Sequence, residues 1–295
     1  MTLTDNMRGA LLMNVAMLAF TLNDTCMKVV MDRLPLFQVI TIRGVMATAG
    51  LLAIALAAGQ LRLTLGRNDT RIIALRTLAE IAASLLFLAA LVHMPLANLT
   101  SIMQSVPLAV TLAGALVFGD RVGWRRMTAI LVGFAGVMLI VKPGTEVFDI
   151  WSVMGLGAVL AVVVRDLSVR RLSSAVPSMT VALWASVSVT LMGLIGVVFE
   201  GWRPVSPIDL LYMAGAAGTL IIGYLTVVMT MRVGDTGLVA PFRYTALLWA
   251  ILLGWVTFGT LPDSLTLLGA AIVIATGLFT FWRARRIAVT ASPGI

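Results

Sequence analysis

The sequence predicts an all-α integral membrane protein of ten transmembrane helices, arranged as two inverted five-helix repeats around a central cavity. Three observations predict it. The 295-residue chain is 60% hydrophobic and 12% charged, with a mean hydropathy of +1.04. Its apolar residues fall into ten runs of about 20 residues, enough to cross a hydrocarbon core of about 30 Å. Two of those runs, each taken together with the next span, share an order of glycines at a near-constant offset.

Composition decides the solvent first. Soluble domains carry about 25% charged residues. A single soluble core at this length could not hide so much apolar surface. The net charge of +8 reads as basic loops facing cytoplasm and anionic lipid, not as a nucleic-acid surface. Cys26 is the one cysteine, which rules out an internal disulfide and suits a small apolar residue in a helix. The opening MTLTDNMRGALLMNVAMLAFTL is expected to be an uncleaved first span rather than a signal peptide, because its charged region is weak and the apolar run continues toward Val30.

The ten spans are 8–30, 35–58, 71–92, 96–118, 126–142, 151–171, 178–199, 208–232, 237–259 and 264–282. Breaks such as HMPLAN, GDRVGWRR, KPGTEVFD and GWRPVSP supply the prolines and glycines that end helices. With the N-terminus inside, inner segments hold thirteen basic residues: Arg8, Arg62, Arg67, Arg71, Arg121, Arg125, Arg126, Arg170, Arg171, Arg232, Arg283, Arg285 and Arg286. Outer segments hold four, Lys28, Arg33, Lys142 and Arg203. By the positive-inside rule both termini are expected in the cytoplasm.

Residues 101–140 and 241–281 carry the internal repeat. Gly114, Phe118 and Gly119 match Gly254, Phe258 and Gly259 at an offset of 140, and Gly136 matches Gly277 after a one-residue gap. Residues 1–144 form the first unit and 145–295 the second. Five spans per unit is an odd number, so the second must enter the membrane from the opposite side. Inverted repeats of this kind are the architecture of alternating-access carriers, with the site near the bilayer midplane.

On LANLTSIMQSVPLAVTLAGALVFGDRVGWRRMTAILVGFAGVMLIVKPG (96–144) and APFRYTALLWAILLGWVTFGTLPDSLTLLGAAIVIATGLFTFWRAR (240–285), the chain resembles a ten-helix, EamA-type member of the drug/metabolite transporter superfamily. That family usually carries Gly-Glu where this chain has Gly119-Asp120 and Gly259-Thr260. The loss of the second acid argues against an essential coupling role for that glutamate in both halves. The resemblance implies export of amino acids and related metabolites across the bacterial inner membrane. It leaves open uptake of a larger metabolite such as riboflavin or S-adenosylmethionine.

A charge at the bilayer centre costs about 2.5–3.5 kcal/mol on insertion scales, so charges within spans face a bundle interior or a wet cavity. On span one, Asn14, Met17, Thr21, Asp24 and Lys28 step by three and four and share a face. Asp24 and Lys28 can neutralise each other at i, i+4, with Lys28 snorkelling outward, or Asp24 can line the cavity. On span three, Arg76, Glu80 and Ser84 share a face. Glu80 is either a buried, titratable carboxylate or a static partner of Arg76.

On span four, Thr100, Gln104, Pro107 and Thr111 make a polar stripe beside a proline kink, suited to a substrate path or to interhelical hydrogen bonding. Arg43 can pair with Asp24, while Arg165 and Asp166 read as a paired, snorkelling interface charge. Arg243, with Tyr244, Trp249 and Tyr224, either receives a substrate carboxylate and an aromatic or apolar group, or locks to Glu80. Trp151, Trp202 and Trp282 fit the interface belt. Gly133, Gly136, Gly215, Gly218, Gly269 and Gly277 are expected to allow close helix contact.

The substrate-binding candidates are therefore Asn14, Thr21, Asp24, Glu80, Ser84, Thr100, Gln104, Tyr224, Arg243, Tyr244 and Trp249. The ion-pair and structural candidates are Lys28, Arg43, Arg76 and Pro107. A mixed lining of acid, base, amide and aromatics suits a small zwitterion such as an amino acid. No G-x-x-x-x-G-K-[ST] is present, so the chain does not hydrolyse ATP. The chain has one histidine, His93, and one cysteine, Cys26, and no H-E-x-x-H occurs, so no enzyme, metal or cofactor is expected. The expected partners are a small-molecule substrate and the lipid bilayer, with a coupling proton open and the chain a monomer or homodimer. A channel is the remote alternative.

Overall fold

In the computed structural model, residues 3–59, 66–120, 122–145, 148–173, 176–233 and 239–291 are described. Arg62 and Arg121 lie outside them, as do the side chains of Arg232 and Arg285. Every regular element among the described residues is helical. In chain order they are α1 (Leu3–Met31), α2 (Leu36–Ala57), α3 (Arg67–His93), α4 (Leu96–Met103), α5 (Val106–Phe118), α6 (Trp124–Val141), α7 (Ile150–Val169), α8 (Ser178–Glu200) and α9 (Pro207–Val233). A 3₁₀ turn (Ala240–Tyr244), α10 (Thr245–Phe258) and α11 (Ser264–Ala291) complete the chain.

Ten helical stretches are long and apolar enough to cross a membrane, from Asp5–Met31 to Ser264–Ala284, and each matches an expected span to within a few residues. The chain is a multi-pass membrane protein. Its outer surface agrees: Leu116, Val198 and Phe199 are 78–85% exposed, a placement that lipid favours and water does not.

Two spans are broken, at matching places. Span four stops at Met103 and restarts at Val106, with Pro107 in the first turn of α5, where its missing N–H leaves no gap. Span nine opens as the 3₁₀ turn and becomes α-helical at Thr245, where a continuous helix was expected. Pro241 sits in the first turn of that 3₁₀ segment. Gln104 and Tyr244, the two residues at these breaks, are 140 positions apart, the repeat offset. They also touch: Gln104 Nε2 donates to the Tyr244 carbonyl at 3.2 Å.

Spans four and nine end alike. Gly119 and Gly259 both adopt the left-handed conformation (φ 71° and 66°), which glycine reaches without the cost of a Cβ. The Asp120 N–H then donates to the Gly114 carbonyl, and the Thr260 N–H to the Gly254 carbonyl.

The main helix pairs run across the two halves of the chain: α1 against α9, α2 against α8, α3 against α7, and α6 against α11. Lipid supplies no hydrophobic drive between helices, so contact depends on close approach of small residues. Gly136 and Gly269 meet backbone to backbone between α6 and α11. Gly218, expected to do likewise, faces open space. A Cβ at Gly136 would lie 2.9 Å from both the Gly269 carbonyl and an Ile272 methyl. Gly136→Val is expected to lower stability by about 1–3 kcal/mol through overpacking. Thermal unfolding in detergent measures it, and a melting temperature equal to that of the parent chain would refute the contact.

Candidate functional site

A cluster of charged side chains lies within the bundle, with Arg165 and Asp166 about one turn from the end of their helix. From α3, Arg76 and Glu80 are one helical turn apart and share a face. Arg76 Nη2 sits 3.4 Å from Glu80 Oε2. From α7, Arg165 reaches across to Glu80 Oε1 at 3.2 Å and folds back on Asp166 Oδ1 at 2.9 Å. Glu80 therefore joins α3 to α7 by accepting from Arg165, with Arg76 as a second ion-pair partner on its own helix. These side chains keep 14–31% exposure.

Arg43 of α2 and Asp24 of α1 flank the cluster. Arg43 is buried, and its Nη1 lies 3.4 Å from Asn23 Oδ1. The other end of that amide donates to Asp24 Oδ1 at 2.9 Å. Asn23 thus stands between acid and base, and Arg43 is within electrostatic range of both Asp24 and Glu80. The hydroxyl of Tyr224 on α9 is within range of Arg76 and Glu80. Three buried donors here find no acceptor among the described residues: Arg43 Nε, Arg76 Nε and Arg76 Nη1. Unmet buried donors are costly, about 1–3 kcal/mol each and more on charged groups.

The remaining sequence candidates sort around this cluster. Asn14 accepts from Trp249 Nε1 at 2.9 Å, tying α1 to α10. Thr21 is buried and donates to the Met17 carbonyl of its own helix. Ser84 and Thr100 are half-buried. Gln104 and Tyr244 meet at the helix breaks.

Three expectations are corrected. Lys28 does not pair with Asp24; its ammonium donates to the Leu91, Val92 and Met94 carbonyls at 2.5, 3.3 and 2.9 Å. The reason is geometric: the free carbonyls at the end of α3 take a compact three-donor cation directly. Arg243 does not lock to Glu80, whose two oxygens are taken by Arg76 and Arg165. It is exposed, and among the described residues it makes no side-chain hydrogen bond or ion pair. Arg165 pairs with Asp166 as expected, but its guanidinium also turns inward onto Glu80 instead of snorkelling outward.

The two faces of the bundle differ. On the face away from the N-terminus, contacts tie the halves together. Arg33 pairs with Asp209, Lys142 with Asp263, and the Glu200 carboxylate takes the backbone N–H groups of Leu36 and Phe37. Gln38 and the Arg203 backbone exchange two hydrogen bonds, and His93 stacks on Trp151 at 3.5 Å. On the N-terminal face, Arg170 pairs with Asp120 beside a cavity of about 310 Å³ lined by Val110, Thr111, Asp120, Val122, Arg126 and Arg170. A smaller one of about 150 Å³ shares Thr111 and Arg126 with it.

Residues 7–142 match the EamA-like transporter family. That stretch is similar to an EamA-type transporter domain. Curated relatives include the riboflavin transporter of Vibrio cholerae, 27% identical over 63% of either chain. The S-adenosylmethionine uptake transporter of Rickettsia prowazekii is 24% identical over 92% of both. The pseudopaline exporter of Pseudomonas aeruginosa is 25% identical over 90% of this chain and 93% of its own. The match to the riboflavin transporter spans under two thirds of that protein. A solved crystal structure covers 96% of this chain and 99% of its own at a TM-score of 0.67 and 20% identity, a likeness of fold alone.

Glu80→Gln leaves Arg76 and Arg165 without their shared counter-charge. Removing one partner of a fully buried pair costs about 3–5 kcal/mol. Partial exposure reduces this, and a loss of about 2–3 kcal/mol is expected. Unfolding in detergent that showed no loss would mean that Glu80 is not the link. A second expectation concerns pH. The hydrogen bond from Lys142 holds the Asp263 carboxyl below its ordinary value of 3.8. A depressed folded-state value stabilises the fold above about pH 4, and this is lost as pH falls toward that value. The pair is half exposed, so the effect is small. The melting gap between the parent chain and Asp263→Asn should be widest near neutrality and close as pH drops below about 4. A gap constant across that range would count against the pairing.

Proposed function

We propose that this chain is a secondary transporter that exports small amphipathic metabolites, amino acids first among them, across the bacterial inner membrane by alternating access. The observation that carries this is the charged cluster inside an otherwise apolar bundle, with buried arginine donors awaiting an acceptor. A zwitterion supplies what the cluster lacks. Its carboxylate would take the unmet donors of Arg76 and Arg43, and its ammonium would meet Asp24. Tyr224 and Trp249 offer apolar surface to its side chain. Asp24, hydrogen-bonded to an amide and not to a guanidinium, is better placed than Glu80 to carry a coupling proton.

The architecture we propose is a pair of inverted repeats, 1–144 and 145–295, with both termini in the cytoplasm. Several features support it: the cross-half helix pairing, the matched breaks at Gln104 and Tyr244, and the matched left-handed ends at Gly119 and Gly259. The cations at those ends support it too. Arg170 lies over the Phe118 ring at 4.8 Å, and Lys28 over the Phe258 ring at 5.7 Å. With the termini inside, the face tied by Arg33–Asp209 and Lys142–Asp263 is the outer one. The arrangement is then closed to the outside and holds its cavities toward the cytoplasm.

The names of two relatives favour a second reading, import of a larger metabolite such as riboflavin or S-adenosylmethionine. Counterflow in liposomes preloaded with each unlabelled solute separates the two. Saturable exchange of a labelled amino acid is expected. Asp24→Asn should cut it about tenfold, equivalent to about 1.4 kcal/mol of lost binding, at unchanged melting temperature. Exchange of riboflavin or S-adenosylmethionine alone would move the assignment to the second reading, and no saturable exchange of any solute would sink both.

A further inference from the structure

The two cavities on the N-terminal face share a residue that the transport reading does not use. Arg126, in the first turn of α6, lines both. Its Nε is buried and has no hydrogen-bond partner among the described residues. The nearby acid does not answer it: Asp120 is within electrostatic range of Arg126, but its ion pair and hydrogen bond go to Arg170, at 2.8 Å. Across the lining, two guanidinium groups face one carboxylate, which leaves one positive charge over.

A second unmet group converges on the same place. The Tyr244 hydroxyl is buried and without a partner among the described residues. It packs directly on Gly277, whose missing side chain leaves room for it, and Gly277 is part of the wall of the smaller cavity. Two elements far apart in the chain, α6 and the 3₁₀ turn of span nine, thus place two unmet donors beside the smaller cavity, Arg126 in its wall and the Tyr244 hydroxyl behind Gly277. The Thr111 hydroxyl in the same lining is already committed to the Pro107 carbonyl at 2.8 Å, so the open donors are those of Arg126 and Tyr244.

We propose that this space is an oxyanion-binding site, with the Arg126 guanidinium as its charge and the Tyr244 hydroxyl as its second donor. The group it takes is a carboxylate or phosphate. A guanidinium edge accepts such a group through parallel hydrogen bonds, and burial strengthens them. Pro107 and Thr111 line the cavity and continue the polar stripe that leads to Gln104 at the helix breaks. The acidic group of a solute held here lies at the N-terminal-face end of that stripe, on the way to the central cluster. That placement rests on the transport reading, whereas the binding itself does not.

The test is thermal unfolding of the full chain in detergent, followed by tryptophan fluorescence, with succinate, glutamate or inorganic phosphate added at constant ionic strength. Phosphatidylglycerol against phosphatidylcholine in the micelles forms a separate arm. An anion is expected to raise the melting temperature saturably, by about 2–4 °C. Arg126→Gln should abolish the shift, Arg126→Lys keep part of it, and Tyr244→Phe reduce it. A shift from the soluble anions assigns the site to a solute, and a shift from phosphatidylglycerol alone assigns it to a lipid headgroup. If no anion shifts the parent chain, or if the shift is the same in Arg126→Lys and Tyr244→Phe as in the parent, the site is overturned. Should Arg126→Gln fail to fold, those two variants carry the test. Anion binding without counterflow would keep the site and remove the transport reading, and counterflow without anion binding would do the reverse.

Discussion

A charge inside a lipid-bound bundle has no water to fall back on, so it must be met by another part of the chain. That constraint shapes this molecule more than any other. Glu80 meets it for two arginines at once and in doing so fixes α3 against α7. Lys28 meets it differently, by taking up the carbonyls at the end of α3. Asn23 serves a third pair, presenting its carbonyl to Arg43 and its amide to Asp24. Each solution ties one helix to another, so the polar groups hold the bundle in register while glycines at contacts such as Gly136–Gly269 set how closely it packs.

The same logic gives the two faces their different characters. Phe118-Gly119 and Phe258-Gly259 end two spans in the same conformation, each ring under a cation from another helix. The next residue breaks the likeness. Asp120 engages Arg170, whereas Thr260 leaves Lys28 to the backbone. One face therefore closes its helix end with a side-chain ion pair that can let go. The other uses carbonyls that no substitution removes.

Much of the fold was legible in the sequence because hydropathy acts residue by residue. Ten runs of the right length leave few alternatives, and each became a helix near its expected ends. The breaks in spans four and nine were signalled only in part. Pro107 announced the first, but the 3₁₀ start of span nine depends on its packing against α1 and α11. The site was less legible, since helical spacing tells which residues share a face and not which helix that face meets. Arg76 and Glu80 were readable as neighbours. Arg165 was not readable as their partner, because nothing local says that α7 lies against α3. The Lys28 contact was hidden for a related reason: a backbone carbonyl competes with a carboxylate and has no letter of its own. Arg126 looked like one more basic loop residue, and only its buried Nε beside a cavity sets it apart.

The contacts that hold the face away from the N-terminus include two ion pairs, Arg33–Asp209 and Lys142–Asp263, at the solvent boundary. Dissolved salt weakens such attractions over a distance of about 10 Å at 0.1 M. The apolar and glycine contacts deeper in the bundle do not feel it. The balance between the two faces of this protein is therefore set partly by its surroundings, with dilute media favouring the tied arrangement and briny ones loosening it.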